Sequence, residues 1–242
     1  IGAIDPSNQY RIKKLTMKII ALIPFWIDYK PLKDSLDCRP LIKIGGKSLI
    51  NKTLEIVNGV QLIDKVVIFT SDKKVSSYID KSVSCDIVQR DAGLNSNKTS
   101  IEDVIGSFLK VSDADVVVLI HPKSPFIKPK TIEECVIKVL EGVFDSAFTA
   151  RSIKKNVWHK GESLIYSIYK DTPSLSEISP ILIESSSIYV FKRALFEKSR
   201  SRIGENPYIK EVGSFEGFEI DSEDDIMMAE LIINAGLDKE VQ

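Results

Sequence analysis

The chain has 242 residues, 43% of them hydrophobic and 28% charged, with a formal net charge of −1. That balance supports one catalytic-sized domain with a real core, and it offers no global field for nucleic acid or an anionic membrane, so any anion site has to be built locally. Cys38, Cys85 and Cys135 are an odd set without CxxC spacing, which argues against a disulfide framework or a zinc centre and for a reducing, cytoplasmic setting.

Residues 1–16 carry no leading Met and no apolar signal core, and Met17 directly precedes the first strand-like run. They read as an extension or the tail of a preceding domain, with the catalytic domain over 17–242. The apolar stretch from Ile19 to Ile27 falls short of the roughly 20 residues of a membrane-spanning helix and contains Pro24, so a soluble protein is expected. Lys18 to Pro24 is the first predicted strand, followed by a long loop to Gly46. Gly45 and Gly46 read as a turn rather than a phosphate cradle.

Ser48 to Val57 then repeats Leu49, Ile50, Leu54 and Val57 at helical spacing. Lys65 to Thr70 and Cys85 to Val88 are strands. Ser100 to Leu109 gathers Ile101, Val104, Ile105, Phe108 and Leu109 on one helix face. Asp115 to Ile120 is a fourth strand, and Thr131 to Leu140 a further helix opened by Pro129. Asp145 to Ala150 is a fifth strand. Apolar strands alternating with amphipathic helices predict an α/β fold whose parallel sheet is covered on both faces.

The pattern breaks at Arg151. Charged and Ser-rich stretches flank the alternating segment from Ser163 to Tyr169, which reads as a hairpin excursion over 151–183. Ser187 to Phe191 returns to strand, Phe218 to Asp221 is a short extended piece, and Ser222 to Ile233 is a final helix with an N-cap and an acidic first turn.

Ligands of open parallel sheets bind beyond the carboxyl ends of the strands, so the residues following each strand are the candidates. After the first strand come Lys30, Lys33, Arg39 and Lys43. After the next ones come Ser71 and Asp72, then Arg90, then His121, Pro122, Lys123 and Ser124. A basic, hydroxyl-rich set of this kind suits a nucleotide triphosphate. Neither GxGxxG nor GxxxxGK[ST] is present, nor is GxSxG, and two histidines, His121 and His159, exclude a His-rich metal site. Glu219 and Asp221, two apart on an extended piece, face the same way and suit one hard cation, expected to be Mg²⁺.

Several stretches resemble the acylneuraminate (CMP-sialic acid) cytidylyltransferases and the related 3-deoxy-octulosonate enzymes, in family order from Met17 to Ala235. VLIHPKSPF (Val118 to Phe126) is similar to LLQPTSPL, with His121 and Lys123 replacing Gln and Thr. RPLIKIGGKSLI from Arg39 is similar to KPLxxIxGKPMI. SSSIYVF from Ser185 and FEIDSEDDIMMAE from Phe218 follow, like NGAIYIF and IDIDTEEDFELAE.

The resemblance implies a Rossmann-like nucleotidyltransferase sheet with a small β-rich dimerisation excursion at 151–183, and a homodimer through a strip such as Leu164, Tyr166 and Ile168. It implies a Mg²⁺-dependent reaction in which a sugar hydroxyl attacks the α-phosphate of CTP, the acceptor being an acidic sugar. Lys30, Arg39 and Asp221 are the expected catalytic residues. Pro24, Phe25, Lys33, Ser71, Asp72, Arg90, His121, Pro122, Lys123 and Ser124 are expected around the nucleotide, and Glu219 with Asp221 around the metal. The first loop departs from the family: Phe25 stands where it has an Arg, and the small residues that let backbone N–H groups approach phosphate are missing. The alternatives are a catalytically altered nucleotide-binding or partner-binding homologue, or a cytidylyltransferase acting on a different acceptor.

Overall fold

The computed structural model describes residues 16–27, 39–96, 98–164, 174 and 176–238, with Arg39 described by its backbone alone. The sequence-predicted sheet is present. Among the described residues seven strands form it in the order β11-β7-β10-β6-β1-β4-β5. They are β1 (Ile19–Phe25), β4 (Lys65–Thr70), β5 (Asp86–Gln89), β6 (Val116–Ile120), β7 (Ser146–Ile153), β10 (Ile181–Lys192) and β11 (Pro207–Val212). β1 pairs in parallel with both β4 and β6, and β4 with β5, as βαβ units require. The departure from expectation is β10, which runs antiparallel to β6 and β7.

Strand alternation explains the two-layer core. Ile19, Ala21, Ile23 and Phe25 of β1 face one side with Val116, Val118 and Ile120 of β6, under helices α1 (Leu49–Asn58) and α3 (Pro129–Glu141). Ile20, Leu22, Val117 and Leu119 face the other, under α2 (Ile101–Val111) and α4 (Arg193–Ser199). Both faces are buried, so the strands read as continuous apolar runs rather than alternating ones.

Short hairpins complete the fold. β2 (Lys43–Ile44) and β3 (Lys47–Ser48) are joined by Gly45 and Gly46 at φ 56° and 78°, a turn in which a side chain at either position would be strained. The glycine pair is therefore a turn, as its sequence suggested. β8 (Trp158–His159) and β9 (Glu162–Ser163) form a second hairpin within the excursion. Tyr166 and Ile168 lie outside the described residues, as do residues 1–15.

The last helix, α5 (Glu223–Asn234), sits beside the carboxyl end of the sheet. Ala229 and Ile232 pack with Ile44, Leu49, Phe126 and Ile220 in a small satellite core. Ser222 and Asp225 form a capping box at its start, and the Gly45 N–H donates to Glu230 (2.9 Å). These contacts fix the segment that precedes α5, where the candidate metal carboxylates reside.

Candidate active site

The carboxyl ends of β5, β4, β1 and β6 form one edge of the sheet. Ser71 follows β4 and His121 follows β6 with β1 between them, which sets their backbones about 10 Å apart across the sheet. Two polar clusters stand along this edge.

The first lies over β4 and β5. Arg90 is tied down by its N–H to the Thr70 carbonyl (2.8 Å), and its guanidinium donates to Asn95 Oδ1 (3.0 Å). Asn95 Nδ2 in turn donates to Ser71 Oγ (2.6 Å). Burial lowers the Arg90 pKa from its ordinary value, yet a guanidinium stays charged. Asp72 forms a local turn, its carboxylate accepting the Lys74 N–H (2.8 Å).

The second cluster lies over β6. The Lys123 ammonium bridges Asp221 (3.2 and 3.4 Å to its two oxygens) and Glu219 (3.5 Å). The Ile220 N–H donates to the Lys123 carbonyl (2.9 Å), so backbone and side chain both join the loop to the segment before α5. That segment pairs as no sheet strand, but it alternates as one: Ile220 is buried in the satellite core while its two neighbours turn to Lys123. Asp225 braces it by accepting from the backbone N–H groups of Asp221 (3.0 Å) and Ser222 (2.8 Å). Burial raises the Glu219 pKa, opposed by the Lys123 charge and reinforced by Asp221.

Of the expected nucleotide contacts, Pro122 and Ser124 are buried in the β6 turn, and His121 meets the edge of the Tyr189 ring (6.5 Å between centroids). Phe25 is a correction. Its ring has no exposed surface and stacks on Tyr78 inside the α1-side core, so it has no face to offer a base, while Pro24 is half-buried beside it. The apolar face of β1 alternates through Phe25, and hydrophobic burial claims the ring. Lys30, Lys33 and the Arg39 side chain lie outside the described residues.

Three residue groups escaped the sequence reading in whole or in part, Ser185 having been noted only where the resembled family has an Asn-Gly pair near the sugar. Asn95 links Ser71 to Arg90 from a turn without a motif. A buried hydroxyl group of Thr149, Ser185 and Ser187 stands where β10 bulges: Ser185 Oγ is 2.5 Å from Ser187 Oγ and 3.4 Å from Thr149 Oγ1. Ser186, Ser187 and Ile188 fall between the successive β7 partners Thr149 and Phe148, and the Ser187 carbonyl reaches the His121 N–H (3.4 Å). Finally, Arg202 stacks on Tyr189 (4.4 Å to the ring centroid) and pairs with Glu102, and the Tyr189 hydroxyl donates to Glu184 (2.5 Å).

Five buried side-chain polar atoms lack a hydrogen-bond partner among the described residues, and three of them are Arg90 Nε, Ser124 Oγ and Glu219 Oε1. The other two are Arg202 Nε and Asp238 Oδ1; folded proteins satisfy nearly all such atoms, with ordered water where no protein group reaches them. Glu219 Oε1 does have Lys123 at ion-pair range, and the Glu219 carboxyl also accepts from the Ser186 backbone N–H.

A cytidylyltransferase family profile matches residues 36–205, well over half of the chain. The chain belongs to the cytidylyltransferase family. A curated relative, the mitochondrial 3-deoxy-manno-octulosonate cytidylyltransferase of Arabidopsis thaliana, is 24% identical over 151 residues, covering 62% of this chain and 49% of the relative. The match thus spans about half the relative's length. Among solved structures, a CMP:2-keto-3-deoxy-manno-octonic acid synthetase complexed with CTP superposes with a TM-score of 0.67 at 19% identity, over 90% of this chain and 99% of the other. A 4-diphosphocytidyl-2C-methyl-D-erythritol synthase from Anaerococcus prevotii gives 0.65 at 16% identity, over 92% and 99%. These likenesses establish the Rossmann-like nucleotidyltransferase fold of this cytidylyltransferase-family chain. No described helix is long and apolar enough to cross a membrane.

The carboxylates suit Mg²⁺ as a partial site. Glu219 and Asp221 supply hard oxygens on one face, and no third His, Cys, Asp or Glu joins them among the described residues. Mg²⁺ commonly takes one or two carboxylates and completes its shell with water and substrate phosphates, so two carboxylates are a donor set of the size that it uses.

Proposed function

We propose that the chain transfers CMP from CTP to an acidic sugar, of the sialic-acid-like nonulosonate or the octulosonate class, with release of pyrophosphate. The observation that carries this reading is the gathering of Ser71, Arg90, Lys123 and the Glu219–Asp221 pair along the strand-end edge, in a chain of the cytidylyltransferase family. A sugar hydroxyl oxygen forms a bond to the α-phosphorus, the bond to the bridging oxygen breaks, pyrophosphate leaves, and the hydroxyl proton passes to solvent.

Within that reaction Arg90, held by Asn95 and Ser71, binds the nucleotide as a fixed guanidinium. The buried Ser124 hydroxyl donates to it from the β6 turn, and Lys123 offsets phosphate charge. Mg²⁺, held by Glu219 and Asp221, would supply charge stabilisation to the departing pyrophosphate. Lys30, Lys33 and Arg39 belong to the same reading as further phosphate contacts. We also place the exposed apolar groups Leu164 and Trp158, with Leu182 and Ile183, in a homodimer interface formed by the 151–183 excursion.

Incubation with CTP, Mg²⁺ and a panel of nonulosonates, octulosonates and polyols should release pyrophosphate with an acidic sugar, and silence across the panel defeats the reading. One observation favours a second reading, a homologue that binds nucleotide without turnover: Phe25 is core where the resembled family has a cation. Calorimetry separates the two, because CTP binding without pyrophosphate release with any acceptor selects the second.

A further inference from the structure

Lys123 is unusual as a surface lysine. Its side chain is 15% exposed, it stands in a turn bounded by Pro122 and Pro125, and its ammonium lies within 3.5 Å of both carboxylates of the candidate metal pair. The three groups sum to one negative charge. A divalent ion approaching Glu219 and Asp221 in the absence of nucleotide meets half the negative charge of the bare pair and a fixed positive neighbour in direct contact.

We propose that Lys123 is a resident cation of the Glu219–Asp221 pair, so that the nucleotide-free protein binds divalent ions weakly and takes them up together with a nucleotide. The triphosphate supplies the ammonium with an alternative anionic partner, and the carboxylates are then released to the metal. Metal and nucleotide binding thereby become positively coupled through one side chain, and the coupling is reciprocal. The inference rests on the proposed CTP chemistry for its nucleotide, but its core, competition between an ammonium and a dication, is independent of turnover.

The test is Mn²⁺ binding to the full, nucleotide-free chain, read by the loss of the free-ion paramagnetic resonance signal. Lys123→Thr and Lys123→Met should each bind one Mn²⁺ on the order of tenfold or more tightly than the unaltered chain, and adding Asp221→Asn should abolish the gain. Thermal melts confirm that the variants fold. A tight Mn²⁺ site in the unaltered nucleotide-free protein overturns the proposal without recourse to any variant, and so does equal affinity in the unaltered chain and a folded Lys123→Thr. Pyrophosphate release is measured alongside. Turnover with a tight Mn²⁺ site in the unaltered chain defeats this inference alone, whereas the expected Mn²⁺ behaviour without turnover defeats the proposed activity alone.

Discussion

In the half of the sheet formed by β6, β1, β4 and β5, all strands run one way and each polar group follows directly from a strand end. In the half formed by β10, β7 and β11, β10 opposes its neighbours and delivers its serines through a bulge in mid-strand. The parallel half thus places Ser71, Arg90 and Lys123 by repetition of one unit. The mixed half places Ser185 and Ser187 by a local interruption of register, which leaves their hydroxyls to satisfy one another below the edge. Of these groups, the charged ones stand where the topology repeats and the paired hydroxyls where it breaks.

That division is tested most severely at Asp221. Asp221→Asn should lower the rate of pyrophosphate release about 100-fold or more while leaving a folded protein, because it removes charge from an exposed carboxylate rather than from the core. Retained turnover would place the chemistry elsewhere. Arg90→Ala comes next: loss of a charge-assisted contact should weaken CTP binding by about tenfold to a hundredfold in calorimetry, with little change in the acceptor KM. An effect confined to the acceptor would reverse the assignment of the parallel half to the nucleotide.

Ser187→Ala addresses the mixed half. It should cost about 1 kcal/mol in a urea melt through the lost buried hydroxyl pair and leave CTP affinity unchanged. The smallest effect belongs to β11. Burial and the Glu134 carboxylate push the Tyr208 phenol up to about 12 from 10.0. Between those values the folded chain keeps a proton that the unfolded chain has lost, so stability present below the lower value fades as pH rises toward the upper one. Lys210, raised by the same Glu134, acts in the same direction. Tyr208→Phe should therefore flatten, without removing, the alkaline fall in melting temperature.

The strands and helices of the parallel half were legible because their signals are local. Lys65–Thr70 occurs as read, and Ser100 and Ser222 cap their helices with reciprocal Asp103 and Asp225 bonds. The orientation of β10 was not legible, because SIYVF has the same apolar pattern whichever way the chain runs. Its full length, Ile181–Lys192, was hidden by polar residues that pair only with the outlying end of β7. β11 and α4 also escaped, being short and half-polar.

The candidate residues divide in the same way. Ser71, Arg90 and Ser124 follow from strand ends, and the carboxylate pair from its spacing. The contact between Lys123 and Asp221 spans 98 positions, and no local pattern announces it. Asn95 was missed because its role depends on two partners on different loops. Phe25 was misread because a ring at a strand terminus looks alike in sequence whether it faces a ligand or the interior.

β10 has a mechanical consequence. Among the described strands Ile181 to Ser185 pair with β7 alone, whereas Tyr189 to Phe191 are clamped between β6 and β7. An extended strand is stiff along its axis, and this one passes from a stretch with one described partner strand to a stretch with two, through the register break beside His121. The register break at Ser186 and Ser187 is therefore where β10 has fewest ladder hydrogen bonds, and where the strand can bend with least disruption of the sheet.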